Sequence, residues 1–182
     1  MLKTKIEEDF KNVLKEKRKI EISTLRMLKA AIFNKEKEKR YKLSQAKPEL
    51  TEKELEKESQ LTDEETIAVI SSEIKKRKEA ILEFEKGKRD DLPRHLLEKV
   101  RGLVEKEKKE KKILEKYLPE QLSEEEIKKL AKKAIEKVGA KELKNMGKVM
   151  AEIMPKVKGK ADGRTVSQIV KELLTSKNEK EN

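Results

Sequence analysis

Cysteine is absent from the 182-residue chain, histidine occurs once, and aromatic residues make up 3% of it. Without a thiol there can be no disulfide, no thiolate metal site and no cysteine nucleophile. Glycine and proline are scarce as well, at six and four, so few positions can punctuate a helix. At 34% apolar, the chain falls below the ~45–50% of a typical globular protein. That excludes a thick-cored sandwich or barrel and leaves thin helical layers that each bury one stripe. No apolar run approaches the ~18 residues a membrane span needs, and MLKTKIEEDF carries acids where a signal peptide needs an apolar core. What is present is charge: 47% of residues are charged, 48 basic against 37 acidic, for a net +11. The expectation is a soluble, cytoplasmic protein of one or two small modules with no membrane partner.

The segments between glycines and prolines show helical rather than strand periodicity. Ile6, Phe10, Val13 and Leu14 mark a first helix over about 3–17, and Ile22, Leu25, Leu28 and Ile32 a second that runs to about Tyr41. Residues 44–60, with Pro48, read as a loose insert holding two or three turns of helix. Thr62 followed by Glu65 is a capping box, and Ile67, Ile70, Ile74 and Ile81 line the helix it opens, which Gly87 stops. Another helix is expected to start at Asp90–Asp91, with Leu96, Val100 and Leu103 as its buried stripe. From Glu105 to Lys112 every residue is Glu or Lys, so this piece is either a solvated bridge or an antiparallel hairpin arm.

A boundary is expected at Leu118–Leu122. Ser123 and Glu126 form a second capping box, Ile127, Leu130, Ala134, Ile135 and Val138 carry a face, and Gly139 is the expected left-handed stop. A helix centred on Leu143, Met146, Met150 and Met154 should end at Pro155, its methionines reading as core filler. The last opens at Asp162 and uses Val166, Ile169, Val170 and Leu173. The fold class is all-α: a larger multihelical N-terminal domain, 1–118, and a three-helix C-terminal module, 119–182.

A catalytic site is hard to assemble from these residues, because nucleophile, base and oxyanion donor must converge in one pocket. His95 reads as an ordinary surface histidine, and carboxylate pairs such as Glu124–Glu125 read as solvated helix faces. No catalytic residue, cofactor or metal is assigned. Gly159–Thr165, GKADGRT, lacks the spacing of a phosphate-binding P-loop, and no strand precedes it. Its glycine-flanked amides suit one phosphate at most, and Asp162 would compete for them.

The basic residues are more informative. Between Lys144 and Arg164 lie Lys144, Lys148, Lys156, Lys158, Lys160 and Arg164, against two acids, Glu152 and Asp162. Such clustering on a Gly/Pro-punctuated loop suits phosphate-backbone contact, and equally suits a solubilising surface in a Lys-rich chain. Residues 119–182 contain no Phe, Tyr, Trp or His, so this module is not expected to read unpaired bases by stacking. Any nucleic acid it binds should be recognised by the shape and charge of a folded backbone.

The string MGKVMAEIMPKVKGKADGRTVSQIVKELL, Met146–Leu174, resembles the signature of the YqeY family of GatB/YqeY-domain proteins. ISTLRMLKAAIFN (Ile22–Asn34), IKKRKEAILEFEKGKRDDL (Ile74–Leu92) and YLPEQLSEEEI (Tyr117–Ile127) match in family order. The departures are the 44–60 stretch and a charged tail after Leu174. The resemblance implies two helical bundles, the second similar to the tail domain of the B subunit of the glutamine-dependent Asp/Glu-tRNA amidotransferase, which contacts the tRNA body. It also carries, by descent, the label of a carbon–nitrogen ligase with glutamine as amido donor. No Ser–Ser–Lys amidase constellation, ATP loop or metal cluster is visible to perform that reaction.

The leading expectation is therefore an accessory protein for tRNA or another structured RNA, tied to amidotransferase-type metabolism and without an active site of its own. Its contact surface would be Lys144, Lys148, Lys156, Lys158, Lys160 and Arg164, with Gly147 and Gly159 allowing close approach. Arg26, Lys75, Lys76, Arg77 and Lys78 form a second tier on the N-terminal domain. No DNA partner is expected; a protein partner in aminoacyl-tRNA metabolism fits the same reading. The rivals are a protein–protein interaction module and an amidotransferase-related enzyme.

Overall fold

The computed structural model describes residues 1–87, 93–140 and 142–178, with side chains described through Thr175. The described residues form eight α-helices and one 3-10 turn, with no strand. By its contacts the chain divides into two compact units, Met1–Leu118 and Pro119–Asn182.

Unit 1 holds α1 (Leu2–Lys15), α2 (Lys19–Ala46), α3 (Glu52–Glu58), α4 (Asp63–Lys86) and α5 (Arg94–Glu115). Ile6, Val13, Leu25, Leu28, Ile32, Ile70, Ile74, Ile113, Leu114 and Tyr117 form its core, each large aliphatic contributing about 1.5–3 kcal/mol on burial. The turn from α1 to α2 is tight. Arg18 N–H donates to Val13 O at 3.1 Å and Lys17 N–H to Leu14 O at 3.2 Å, a Schellman ending with Lys17 left-handed at φ 56°.

Residues 44–60 are more ordered than their polarity suggests. α2 continues to Ala46, five residues past the expected end, and α3 starts at Glu52 behind a Thr51–Glu54 capping box. Pro48 sits in the turn before that helix rather than in its first turn. Lys47 pairs with Glu58 at 3.0 Å, Arg40 with Glu56 at 3.8 Å, and the buried Ser59 hydroxyl donates to Glu56 O. The insert is folded back on α2 by these contacts.

α4 and α5 are antiparallel neighbours: Lys108 pairs with Glu85 at 3.4 Å, while Arg77, earlier on α4, pairs with Glu110, later on α5. The Thr62–Glu65 capping box opens α4. The expected start at Asp90–Asp91 lies outside the described residues; Pro93 stands as the N-cap of α5. The stripe on α5 is phased one residue later than the sequence suggests. Leu96 and Leu103 are 38% and 37% exposed, whereas Val104 is buried and Leu97 and Val100 are half-buried. The stripe does not vanish in the charged run either. Glu110 is only 3% exposed, and it lies one turn before Ile113 and Leu114, which are buried as well.

Unit 2 holds α6 (Glu124–Lys137), the 3-10 turn Leu143–Asn145, α7 (Met146–Val157) and α8 (Gly163–Asn178). Ser123 and Glu126 form the capping box of α6. Its ending repeats the first turn of unit 1: Ala140 N–H donates to Ile135 O at 3.0 Å, Gly139 N–H to Glu136 O at 3.1 Å, and Gly139 is left-handed at φ 63°. The core joins Ile127, Ala131, Ala134 and Ile135 to Val149, Ile153 and Val157 and to Val166, Ile169, Val170 and Leu174. The methionines are not its centre. Met146 and Met150 flank it half-buried, and Met154 is exposed. Pro155 lies inside α7, which runs on to Val157.

Candidate nucleic-acid interface

Of the six candidate cations of unit 2, Lys148 and Lys156 lie on α7, Lys158 and Lys160 on the loop to α8, Lys144 in the 3-10 turn and Arg164 at the start of α8. Because Val149, Ile153 and Val157 face the core, the helical period puts Lys148, Ala151 and Pro155 on the opposite side. Glu152 and Lys156 lie to one flank of that strip and Gly147 and Lys158 to the other. Lys144, Lys148, Lys156, Lys158, Lys160 and Arg164 are all exposed. A Cβ on Gly147 would meet nothing within 4 Å, so the fold itself does not require glycine there.

The loop is held from two directions. Lys158 is extended and Gly159 left-handed, at φ 74°, which lets Lys160 and Ala161 N–H both donate to Val157 O, at 2.9 and 3.0 Å. The segment leading into α6 then clamps the outer edge. Leu122 N–H donates to Lys160 O at 2.8 Å, and the Gln121 amide bridges Pro119 O at 2.9 Å and Gly159 O at 2.8 Å. Gln121 was invisible as a site residue, since no local pattern announces a contact 38 positions away. At the start of α8, Asp162 Oδ1 accepts from Arg164 N–H at 2.9 Å, so the cap carboxylate holds an amide that a phosphate would need.

The six cations are not equivalent. Glu152 accepts from Lys156 at 2.6 Å and from Lys137 of α6 at 2.9 Å. These two hydrogen bonds, Lys156 first, pull the Glu152 carboxyl down to about 2. Lys144 pairs with Glu142 at 3.1 Å. Lys148, Lys158 and Lys160 have no carboxylate partner among the described residues. Their charge is the part of the cluster left for an outside anion.

The second tier separates. Arg26 is exposed on α2, and Lys75 and Lys76 are exposed on α4, paired with Glu79 at 4.0 Å and Glu73 at 2.6 Å. Lys78 is half-buried. Arg77 leaves the set: it is 4% exposed and its guanidinium is spent on Glu73 and Glu110 inside the α4–α5 hairpin. Four consecutive helical residues fan out over about 300° of the helix circumference, so a packed helix turns one of the four inward.

His95 is exposed at the start of α5. No group of three or more His, Cys, Asp or Glu side chains is placed to hold a metal among the described residues. Nor is any described helix long and apolar enough to cross a membrane. The arrangement in unit 2 offers positive charge on a pinned backbone, which suits electrostatic contact with a polyanion.

No curated protein matches the chain. The family model described as Yqey-like protein matches residues 34–174. It takes in α3 to α7, the C-terminal part of α2 from Asn34, most of α8 and the whole basic loop, and of the Ile22–Asn34 string it includes only Asn34. The chain belongs to the YqeY family.

Proposed function

We propose that unit 2 binds the backbone of a structured RNA, tRNA foremost, and that the protein serves in the cytoplasm as an accessory to amidotransferase-type metabolism without catalysing amide transfer itself. The observation that carries this reading is the clamped α7–α8 loop, which presents Lys158 and Lys160 beside Lys148 with no carboxylate to neutralise them. A clamped loop loses little conformational freedom on binding. Unit 2 has no ring with which to stack an unpaired base, so the contact is to phosphates and helical shape. The likeness of this module to the amidotransferase tail domain names tRNA as the first RNA to try.

The test is titration of the protein with total tRNA between ~50 and ~200 mM salt, beside heparin and an unstructured RNA. Binding that prefers tRNA and falls with a log–log slope of roughly −0.7 to −0.9 per phosphate neutralised supports the reading. Replacing Lys148, Lys158 and Lys160 by Glu in a folded protein should remove most of that affinity. Replacing Lys156 should do less, because its charge is already spent on Glu152. Equal binding to tRNA, heparin and unstructured RNA would reduce the interaction to net charge and sink the proposal.

A further inference from the structure

The outer face of α2 has a composition found nowhere in unit 2. Phe33 is 57% exposed and Tyr41, two turns on, 69% exposed. Arg26, Lys29 and Lys37 lie seven and four residues before Phe33 and four after it, which places them on its side of the helix. On the same helix Lys35 pairs with Glu38 and Lys39 with Glu65. Arg26, Lys29 and Lys37 have no carboxylate partner among the described residues. Two of them lie over rings instead, Lys37 at 5.7 Å from the Phe33 centroid and Lys29 at 4.8 Å from that of Phe10.

Phe33 also walls a cleft of about 170 Å³ between α1 and α2. Ile6 and Ile32 line it, and both are buried. The Lys3–Glu36 pair, at 2.8 Å, also lines it. A cavity of about 150 Å³ takes one benzene ring, so this space is of single-ring size. Glu7 lies on the α1 side and Lys29 on the α2 side, so an anionic ligand would place its charge toward α2.

We propose that this cleft takes one unpaired nucleotide of RNA, its base against Phe33 and its flanking phosphates on Arg26, Lys29 and Lys37. A ring set among cations that no carboxylate neutralises is the chemistry of single-strand binding, in which bases stack and phosphates pair. Protein interfaces are depleted in lysine, and here Lys29 and Lys37 flank the ring. The choice of RNA over another nucleic acid rests on the reading of unit 2; the ring-and-cation chemistry does not. The result is a second contact of a different kind, to an unstacked base rather than a folded backbone.

The chain has no tryptophan, so Phe33→Trp in the full-length protein installs a sole indole in the cleft wall. Short oligouridine should quench its fluorescence saturably, whereas heparin and a fully paired RNA duplex should not. Phe33→Ala, at an exposed position, should keep the far-UV spectrum and weaken oligouridine binding about tenfold, with Phe33→Tyr restoring it. Absence of quenching, equal quenching by heparin, or unaltered oligouridine affinity in a folded Phe33→Ala protein would overturn the proposal. Combining Phe33→Trp with Lys148→Glu, Lys158→Glu and Lys160→Glu separates the two surfaces. Quenching that survives loss of tRNA affinity locates the single-strand site in unit 1, and quenching lost along with it assigns the signal to the other surface and refutes this one.

Discussion

Arg77 directs both Nε and Nη2 at a single oxygen of Glu110, at 3.1 and 3.0 Å, between α4 and α5. Its remaining nitrogen, Nη1, donates to Glu73 Oε2 at 3.1 Å and to Glu73 O at 3.2 Å. Lys76 and Lys106 approach the two carboxylates from outside, at 2.6 and 3.8 Å. A run of eight charged residues thus stays on the hairpin because its one buried member has a partner waiting on the other helix. Desolvating three charges is costly, so the cluster fixes register more than it adds stability.

Removing one member should be worse than removing all three. Glu110→Ala leaves the buried guanidinium half-satisfied and is expected to cost about 2–4 kcal/mol. The triple replacement Glu73→Leu, Arg77→Met, Glu110→Leu should come within about 1 kcal/mol of the parent or exceed it. Urea denaturation of both variants decides this. A triple variant as damaged as the single one would mean the ionic cluster supplies net stability.

The two Schellman turns predict opposite responses to one exchange. Lys17 adopts at φ 56° what Gly139 adopts at φ 63°, and a Cβ is strained in that region. Lys17→Gly should therefore stabilise the protein by roughly 0.5–1 kcal/mol, and Gly139→Lys should destabilise it by about 1 kcal/mol. Thermal melts are sufficient, since no side chain would contact an added Cβ at Gly139 within 4 Å.

Tyr117 donates its hydroxyl to Asp9 Oδ2 at 2.8 Å beneath the edge of the core. Burial first, then the hydrogen bond to Asp9, push its ionisation far above the ordinary phenol value. Because the folded state favours the protonated ring, the associated stability is present below about pH 10 and is lost as pH rises beyond it. Tyr117→Phe should cost about 1 kcal/mol at neutral pH and should make the alkaline decline in stability shallower. An unchanged alkaline decline in the variant would refute the assignment.

Glu65 is held below the ordinary carboxylate range by Lys39 first and by the Thr62 amide second. A lowered value places its contribution above the unfolded carboxylate pKa, near ~4.3, and removes it as pH falls through the folded one. Glu65→Ala should lower the urea midpoint at pH 7 and approach the parent at pH 3. Thr62→Ala removes the cap itself and should cost about 1 kcal/mol. A Glu65→Ala deficit of equal size at both pH values would show that the carboxylate's charge is irrelevant.

What the sequence made legible was local. The boxes at Thr62–Glu65 and Ser123–Glu126 need four residues and no tertiary partner, and both were readable before the fold. Thr51–Glu54 carries the same pattern, but no apolar run follows it to mark a helix. Glu110 was unreadable because apolar periodicity cannot register a buried carboxylate, and its partner lies 33 residues earlier. The stripe on α5 was misphased for a related reason: Leu96 and Leu97 are adjacent, as are Leu103 and Val104, and only packing against α4 chooses within each pair. The basic cluster was likewise visible as composition, but its pairing was not. Glu152 stands one turn from Lys156 and so was a readable neighbour, whereas Lys137 reaches it from a different helix.

The clamp made by Gln121 and Leu122 bears on where unit 2 begins. The capping box would suggest trimming a fragment to Ser123, because that is where the first helix becomes regular. Such a fragment keeps every helix but deletes the 2.8 Å bonds that hold Gly159 and Lys160. The four residues before the cap behave as a detached fourth side of the module, a brace rather than a connector. A fragment starting at Pro119 retains the brace, and the pair of fragments differs in the basic loop while sharing all three helices.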